Sequence, residues 1–258
     1  MLPVGKIKTE SFHKWKGLRS KTPCPSWKQG ALWLYIFLLY VNQFFCIIIF
    51  MTNYDQFAET FSKSRQDHPW PELDFIISDI RGRGYTSVLD IGCGNGRFLE
   101  SYAWWIIHSE IRYLGIDSSS GMIEEARKLH PEYHFEVCDM LSLDTLEKLK
   151  YDAIIFLASF HHLETPEERI QILHDVKKIL APNGRVYMTN WNLREQLKYE
   201  KSHQWDGDYY IKIGAYSRYY HGFTLSELEE VFTQTGYTIE ENRVWEGGRN
   251  IVSILEII

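Results

Sequence analysis

The chain has 258 residues, 45% of them hydrophobic and 24% charged, so we expect one large folded domain with a sizeable core. Its four cysteines form no C-x-x-C pair and have no histidine at zinc-site spacing. The sequence therefore predicts no metal site and a reduced, cytosolic setting. The formal net charge of −6 argues against binding of nucleic acid through bulk positive charge.

Residues 1–50 form a leader that differs from the rest of the chain. Residues 30–51 contain no charged side chain and are long enough for a transmembrane helix. Seven Lys and Arg residues precede them, which by the positive-inside rule keeps the N-terminus in the cytosol and exports the C-terminal remainder of the chain. Three interpretations stay open: a membrane anchor, a helix lying on a membrane surface, and a translation start at Met51.

The predicted folded domain covers residues 51–258 and is strongly acidic. The leader holds seven of the 28 Lys and Arg residues and one of the 34 Asp and Glu residues, so the domain carries a net charge of about −12. If RNA is the substrate, binding requires a local basic patch or a partner subunit.

Two helices are predicted before the sheet, within residues 53–82. The apolar residues of the first recur at helical spacing, and a Pro-Trp-Pro sequence ends it. The second is predicted over residues 72–81.

The stretch from Val88 to Leu99 predicts a buried strand, a glycine turn and the start of a helix. Gly92, Gly94 and Gly96 stand at alternate positions, where a chain turns sharply and lets a ligand approach its backbone. No lysine follows as in a phosphate loop. Asp90 instead supplies a carboxylate at the strand end, which suits a ligand that carries an ammonium group.

Acidic residues follow at the ends of later strands. Asp117 ends the second strand, where a carboxylate can accept hydrogen bonds from both hydroxyls of a ribose. Asp139 follows the third strand and Leu157 closes the fourth. We expect these residues to line one ligand site, because parallel strands end at the same edge of a sheet. Strands are predicted over residues 111–117, 133–138 and 151–157, and helices over residues 97–108 and 119–130.

His161 and His162 follow the fourth strand at the same edge. Because they are adjacent, they cannot bind one metal from one helix face, and we expect one of them to contact the substrate. A helix over residues 166–180 begins after Thr165, with Glu168 in the capping-box position.

The last third of the chain carries the sequence R-Y-Y-H at residues 218–221. Residues 196–217 before it show no clear pattern and are predicted to form a mobile connection. Thr224 then caps a helix, with Glu227 three residues later. The remaining strands are predicted over residues 185–190, 237–245 and 250–256.

The strand, glycine turn and strand-end acids resemble the class I S-adenosylmethionine-dependent methyltransferases over about residues 54–258. The resemblance implies an α/β fold with a doubly wound, mostly parallel, seven-stranded Rossmann-like sheet and an antiparallel last strand. It also implies S-adenosyl-L-methionine as cofactor, with the glycine loop on its methionine part, Asp117 on its ribose and Asp139 on its adenine. The cofactor-binding residues expected from it are Asp90, Gly92, Gly94, Asn95, Gly96, Asp117, Ser118, Asp139, Met140 and Leu157.

Several separated motifs are similar to those of the tRNA wobble-uridine carboxymethyl methyltransferases, including the methyltransferase part of the AlkB-homologue fusion enzyme. These motifs are residues 61–65, 69–71, 161–163 and 218–221. The family methylates a carboxymethyl group on uridine 34 of tRNA to a methyl ester. Residues 210–214 depart from the proline- and tryptophan-containing approach to R-Y-Y-H in that family. The resemblance implies tRNA and a small zinc-binding activator as partners.

A carboxylate acceptor is already ionised at neutral pH, so alignment and exclusion of water would carry the reaction. We expect Arg218 to clamp the substrate carboxylate or a phosphate with its planar fork. Trp191 or Tyr209 is expected to stack on a base. The predicted catalytic residues are Arg218, His162, Tyr219 and His221, the last three positioning the uridine.

Two other functions remain open. One is a methyltransferase for a small or membrane-dissolved molecule such as a quinone precursor, which would explain a membrane anchor. The other is a non-catalytic, cofactor-binding subunit, although the intact glycine loop and strand-end acids argue against it. The expected location is cytoplasmic, with membrane association through residues 30–51 as the alternative.

Overall fold

The computed structural model describes residues 70–146, 149–204, 206–213 and 216–257. All of them belong to the compact unit Met51–Ile258. The leader, the hydrophobic segment 30–51 and the first predicted helix lie outside the described residues. Among the residues that are described, no helix combines the length and the apolar character needed to cross a bilayer.

The domain is built on a seven-stranded sheet of order β3-β2-β1-β4-β5-β9-β8 and a separate two-stranded sheet, β6-β7. The strands are β1 Ser87–Ile91, β2 Arg112–Asp117, β3 His134–Val137, β4 Tyr151–Leu157, β5 Leu180–Trp191, β6 Asp208–Ile213, β7 Tyr216–His221, β8 Thr238–Val244 and β9 Asn250–Glu256. The helices are α1 Pro71–Gly82, α2 Arg97–His108, α3 Ser120–Leu129, α4 Pro166–Ile179 and α5 Leu225–Gln234.

The predicted fold class is confirmed. Strands β1 to β5 pair in parallel, and β9 pairs antiparallel with both β5 and β8. Apolar residues of α1, α2 and α3 pack on one face of the large sheet, and those of α4 and α5 pack on the other. Strand β1 is buried along its whole length because helices cover both faces, as its continuous apolar run predicts.

Strand β5 begins earlier than predicted. Residues 181–184, which separate the predicted helix from the predicted strand, lie within β5, where the pairing with β4 changes register between Tyr151 and Ala153. Asn183 adopts a positive φ of 63° there. The glycine and asparagine signals therefore mark a bulge inside a long strand and not a break before it.

The mobile connection predicted over residues 196–217 is wrong in its described part. A 3-10 helix covers Leu197–Ser202, and β6 pairs with β7 as an antiparallel hairpin. Tyr209 lies opposite Tyr220, and Ile211 lies opposite Arg218. Residues directly opposite each other share a face of such a pair, so the hairpin presents two distinct faces.

Both predicted helix caps are present. The Thr165 side chain accepts a hydrogen bond from the Glu168 amide, and the Glu168 carboxylate accepts one from the Thr165 amide, which completes the capping box. Thr224 accepts from the Glu227 amide at 3.1 Å. The Glu227 carboxylate, however, contacts His221 and not the cap backbone.

Asp152 ties the start of β4 to the start of β1. Its Oδ2 accepts hydrogen bonds from the amide and the hydroxyl of both Thr86 and Ser87, at 2.9 to 3.1 Å. Partial burial raises the pKa of this carboxyl group, but the four hydrogen bonds outweigh it and hold the pKa below its usual value.

We expect Asp152→Asn to lower the free energy of unfolding by about 1 kcal/mol at pH 7, because a charged acceptor becomes neutral. A carboxylate with a depressed pKa stabilises the fold above its unfolded-state pKa of about 3.9 and loses that contribution as pH falls through the folded-state value. In urea denaturation, the unfolding free energies of the wild-type protein and the variant should therefore converge below about pH 4.

The exposed Asp144, which makes no hydrogen bond among the described residues, gives the matched control variant Asp144→Asn. A stability difference for Asp152→Asn that stays constant down to pH 3 would contradict this account of the hydrogen bonds to Asp152.

Candidate functional site

The glycine turn after β1 adopts the conformation that its sequence requires. Gly92, Gly94 and Gly96 have φ values of 72°, 57° and 81°, in the left-handed region that favours glycine. A Cβ added at Gly92 would overlap the Cβ of Ser159. The turn therefore exposes backbone at a place where no other residue type fits without strain.

Asp90 is fully buried at the end of β1. The hydroxyl of Tyr113 donates to its Oδ2 at 2.9 Å, while its Oδ1 has no hydrogen-bond partner among the described residues. Burial raises the pKa of the Asp90 carboxyl to about 7, against the hydrogen bond from Tyr113, which lowers it. Such a group gains most from a cationic partner, because the charge of that partner offsets its desolvation.

Asp117 ends β2 beside the glycine turn. Its Oδ2 accepts from the Gly94 amide at 3.0 Å, and its Oδ1 accepts from the Ser119 amide at 2.9 Å. Burial raises the pKa of Asp117 despite these bonds. The charges of Arg218 and Asp139 also act on this pKa, the first lowering it and the second raising it. The two strand-end acids and Arg218 thus lie close enough to interact.

The remaining predicted cofactor residues lie around the same edge. Asn95 is buried within the turn, and Ser118 is exposed beyond β2. The Met140 methyl group lies next to Gly92. Leu157 is buried at the end of β4, directly before the loop that carries the two histidines.

These residues fit the cofactor that the sequence implies. The unpaired buried oxygen of Asp90 would accept from the ammonium group of S-adenosyl-L-methionine. Asp117 retains lone pairs for ribose hydroxyls. When bound, the cofactor supplies an electrophilic methyl group on a sulfonium centre.

An aromatic cluster occupies the end of β5 next to this edge. The Trp191 ring stacks on Tyr220, with ring centres 5.0 Å apart, and on Tyr199, with ring centres 6.0 Å apart. Trp191 is only 7% exposed, and Tyr209 is buried in the same cluster. The prediction that Trp191 or Tyr209 stacks on a base disagrees with this packing.

Arg218 and His162 lie on the side of the hairpin that faces this cluster. The Arg218 guanidinium lies 5.5 Å from the centre of the Tyr220 ring, and the His162 ring contacts the same tyrosine at 4.5 Å. His162 Nδ1 also lies 3.0 Å from the backbone oxygen of Tyr219. The structure brings these two predicted catalytic residues together.

Tyr219 and His221 lie on the opposite face of the hairpin. The Tyr219 hydroxyl donates to Asp208 at 2.7 Å, and it accepts from Arg169 at 3.1 Å. His221 lies between Asp208 and Glu227. The sequence analysis placed Arg218, Tyr219 and His221 together against the substrate, but the alternation of side chains along a strand puts Arg218 on one face and Tyr219 and His221 on the other.

Four residues of this region were not identified from the sequence. Tyr220 lies on the same face of β7 as Arg218, while Arg169, Asp208 and Glu227 contact Tyr219 or His221 on the other face. Period-two alternation through Asp208-Tyr209-Tyr210-Ile211 would have predicted the hairpin, and with it the division of the two faces.

Comparison with known proteins agrees with this site. Residues 88–184 match the family model of a methyltransferase domain. The tRNA (carboxymethyluridine(34)-5-O)-methyltransferase alkbh8 of Xenopus tropicalis is 34% identical over 152 residues, covering 58% of this chain and 22% of that protein. The tRNA (carboxymethyluridine(34)-5-O)-methyltransferase of Saccharomyces cerevisiae is 32% identical over 143 residues, covering 55% of this chain and 47% of that protein.

The chain thus spans less than half the length of these two curated relatives. Among solved structures, an S-adenosylmethionine-dependent methyltransferase from Clostridium acetobutylicum superposes with a TM-score of 0.62, covering 79% of this chain and 98% of that one. At 14% identity this likeness concerns the fold alone. Together these findings confirm the predicted resemblance: residues 88–184 match a methyltransferase domain, and the chain is similar in sequence to tRNA carboxymethyluridine methyltransferases and in fold to an S-adenosylmethionine-dependent methyltransferase.

Proposed function

We propose that this protein uses S-adenosyl-L-methionine to methylate a carboxymethyl group on the wobble uridine of tRNA, forming a methyl ester. The observation that carries the proposal is the placement of Arg218, which interacts with Asp117 at the cofactor edge while its strand packs on the His162 loop. A guanidinium beside the cofactor site suits an anionic acceptor. The relatives that act on carboxymethyluridine support the same acceptor.

The reaction requires little acid–base chemistry from the protein. The acceptor carboxylate is ionised at neutral pH, and its pairing with Arg218 would hold one oxygen in line with the methyl group. Burial of Leu157 and of the cluster around Trp191 keeps water from this side of the site. We propose that His162 positions the uracil, because its ring contacts the hairpin at the strand that carries Arg218.

The stretch 194–218 supplies a local region suited to RNA. It contains five Lys and Arg residues against four Asp and Glu residues, within a domain whose net charge is strongly negative. Lys201 and Lys212 are exposed and make no ion pair among the described residues. The side chain of Tyr210 is 46% exposed on the same hairpin. Tyr210 and Lys212 lie on the face of the hairpin that carries Tyr219, so these features support contacts with a part of the tRNA farther from the acceptor, through its phosphate backbone and an unpaired base.

We expect Lys201→Ala/Lys212→Ala to weaken tRNA binding and to flatten its salt dependence, by up to about 1.4 in the slope of log K against log salt. Affinity for S-adenosylmethionine should stay unchanged. The control variant Lys128→Ala/Lys178→Ala removes the same charge near the C-terminal ends of α3 and α4, at the other edge of the sheet. Filter binding of tRNA at several salt concentrations measures these slopes. Equal slopes of log K against log salt for both variants would contradict the proposed contacts.

We further propose a cytoplasmic location and a small zinc-binding activator as partner. In support of a partner, β3 is an edge strand of the large sheet, and the side chain of Val137 on it is 52% exposed. An edge strand with an exposed apolar side chain is a ready site for another chain.

Methyl transfer from radiolabelled S-adenosylmethionine tests the proposed function directly. The protein is incubated with total tRNA or with a small-molecule and lipid extract, each with and without a zinc-binding activator. We expect label in tRNA that mild alkali releases, as for an ester. Alkali-stable label in tRNA would change the acceptor atom, and label in the lipid fraction alone would favour the membrane-dissolved substrate.

A further inference from the structure

A network of charged side chains lies behind the substrate-facing side of the β6–β7 hairpin. His221 Nδ1 lies 3.0 Å from Asp208 Oδ1, and His221 Nε2 lies 2.6 Å from Glu227 Oε1. Arg169 Nη1 lies 3.7 Å from the same Glu227 oxygen. The Tyr219 hydroxyl joins Arg169 to Asp208. We call these five residues the hairpin network.

The hairpin network joins four elements through three buried side chains and two carboxylates, those of Asp208 and Glu227, that are 39% and 29% exposed. Arg169 and His221 are 3% and 5% exposed, and they belong to α4 and β7. Asp208 comes from β6 and Glu227 from α5. The guanidinium of Arg169 also donates to the backbone oxygens of residues 163 and 164, which fixes the start of α4 against the hairpin.

The network places two carboxylates beside Arg169 and His221, and Arg194 approaches the second carboxylate at 4.0 Å from outside. Removing the Glu227 carboxylate leaves the buried guanidinium of Arg169 less well compensated, which costs more than the loss of an exposed ion pair. The network therefore specifies how the hairpin sits on α4 and α5.

The hairpin needs such an anchor. Two-stranded sheets have marginal stability by themselves. In the part of the chain that the structure describes, β6 and β7 form a sheet separate from the large one, joined otherwise only by an isolated bridge between His203 and Tyr209. A slip of one residue would exchange the two faces of β7. Arg218 and Tyr220 would then leave the cofactor edge, and Tyr219 and His221 would replace them.

We propose that Asp208, His221, Glu227, Arg169 and Tyr219 are positioning residues, which hold β7 in the register that presents Arg218 to the acceptor carboxylate. This inference deepens the proposed function and rests on it for the role of Arg218. It also reassigns Tyr219 and His221, which act through the strand and not through contact with the uridine.

A double-mutant cycle tests the inference. Glu227→Gln keeps the shape of the side chain and leaves the Thr224 cap intact, because that cap uses the backbone amide. We expect it to reduce kcat/KM for tRNA at least tenfold, chiefly through KM, with unchanged affinity for S-adenosylmethionine. In an Arg218→Ala background the same substitution should have almost no further effect, since both changes act on one interaction. Glu230→Gln, at an exposed position of α5, is the matched control.

Equal losses from Glu227→Gln in both backgrounds would overturn the inference, because the network would then act independently of Arg218. Asp208→Asn, on the other side of His221, serves in place of Glu227→Gln if that variant does not fold. The amide hydrogen exchange rates of β6 and β7 can be measured without any substrate. We expect faster exchange in Glu227→Gln than in Glu230→Gln, and unchanged protection would overturn the inference even if wild-type protein methylates a different acceptor.

Discussion

The buried carboxyl group of Asp90 is the constraint on which the ligand edge depends. A charge in a low-dielectric interior costs several kcal/mol unless partners compensate it, and one of its oxygens has no partner among the described residues. The fold keeps this group on its central strand, beside a turn that only glycines can form. A cation bound there offsets the desolvation of the buried carboxylate, so the edge is preorganised for a ligand with an ammonium group.

The hairpin adds a second constraint, the alternation of side chains along β7. Arg218 and Tyr220 face the aromatic cluster and the cofactor edge, while Tyr219 and His221 face the hairpin network. One face recognises the acceptor and the other fixes the strand. Among these four consecutive residues, those on one face are thus left for recognition of the acceptor and those on the other face support the strand. The charged groups that support it lie on the side away from the acceptor.

Strong local signals made most of the sheet predictable. The buried run before Gly92, the capping box at Thr165 and the strand-end acids each depend on residues close in sequence. The bulge in β5 was missed because its asparagine and glycine also signal a turn. The hairpin was missed although its side chains alternate, because its stability comes from partners such as Arg169, about 50 residues away. The separation of Tyr219 from Arg218 could not be inferred without that hairpin.

The central claim is that Asp90 and the glycine turn bind the ammonium end of S-adenosylmethionine, and calorimetry of cofactor binding tests it most directly. The pKa of Asp90 lies near 7 in the free protein, and the cofactor would hold the carboxyl group ionised. Affinity should therefore rise, and proton release fall, between pH 5.5 and 7. The isosteric variant Asp90→Asn should bind more weakly and lose this pH dependence. Equal, pH-independent affinity for both proteins would contradict the account.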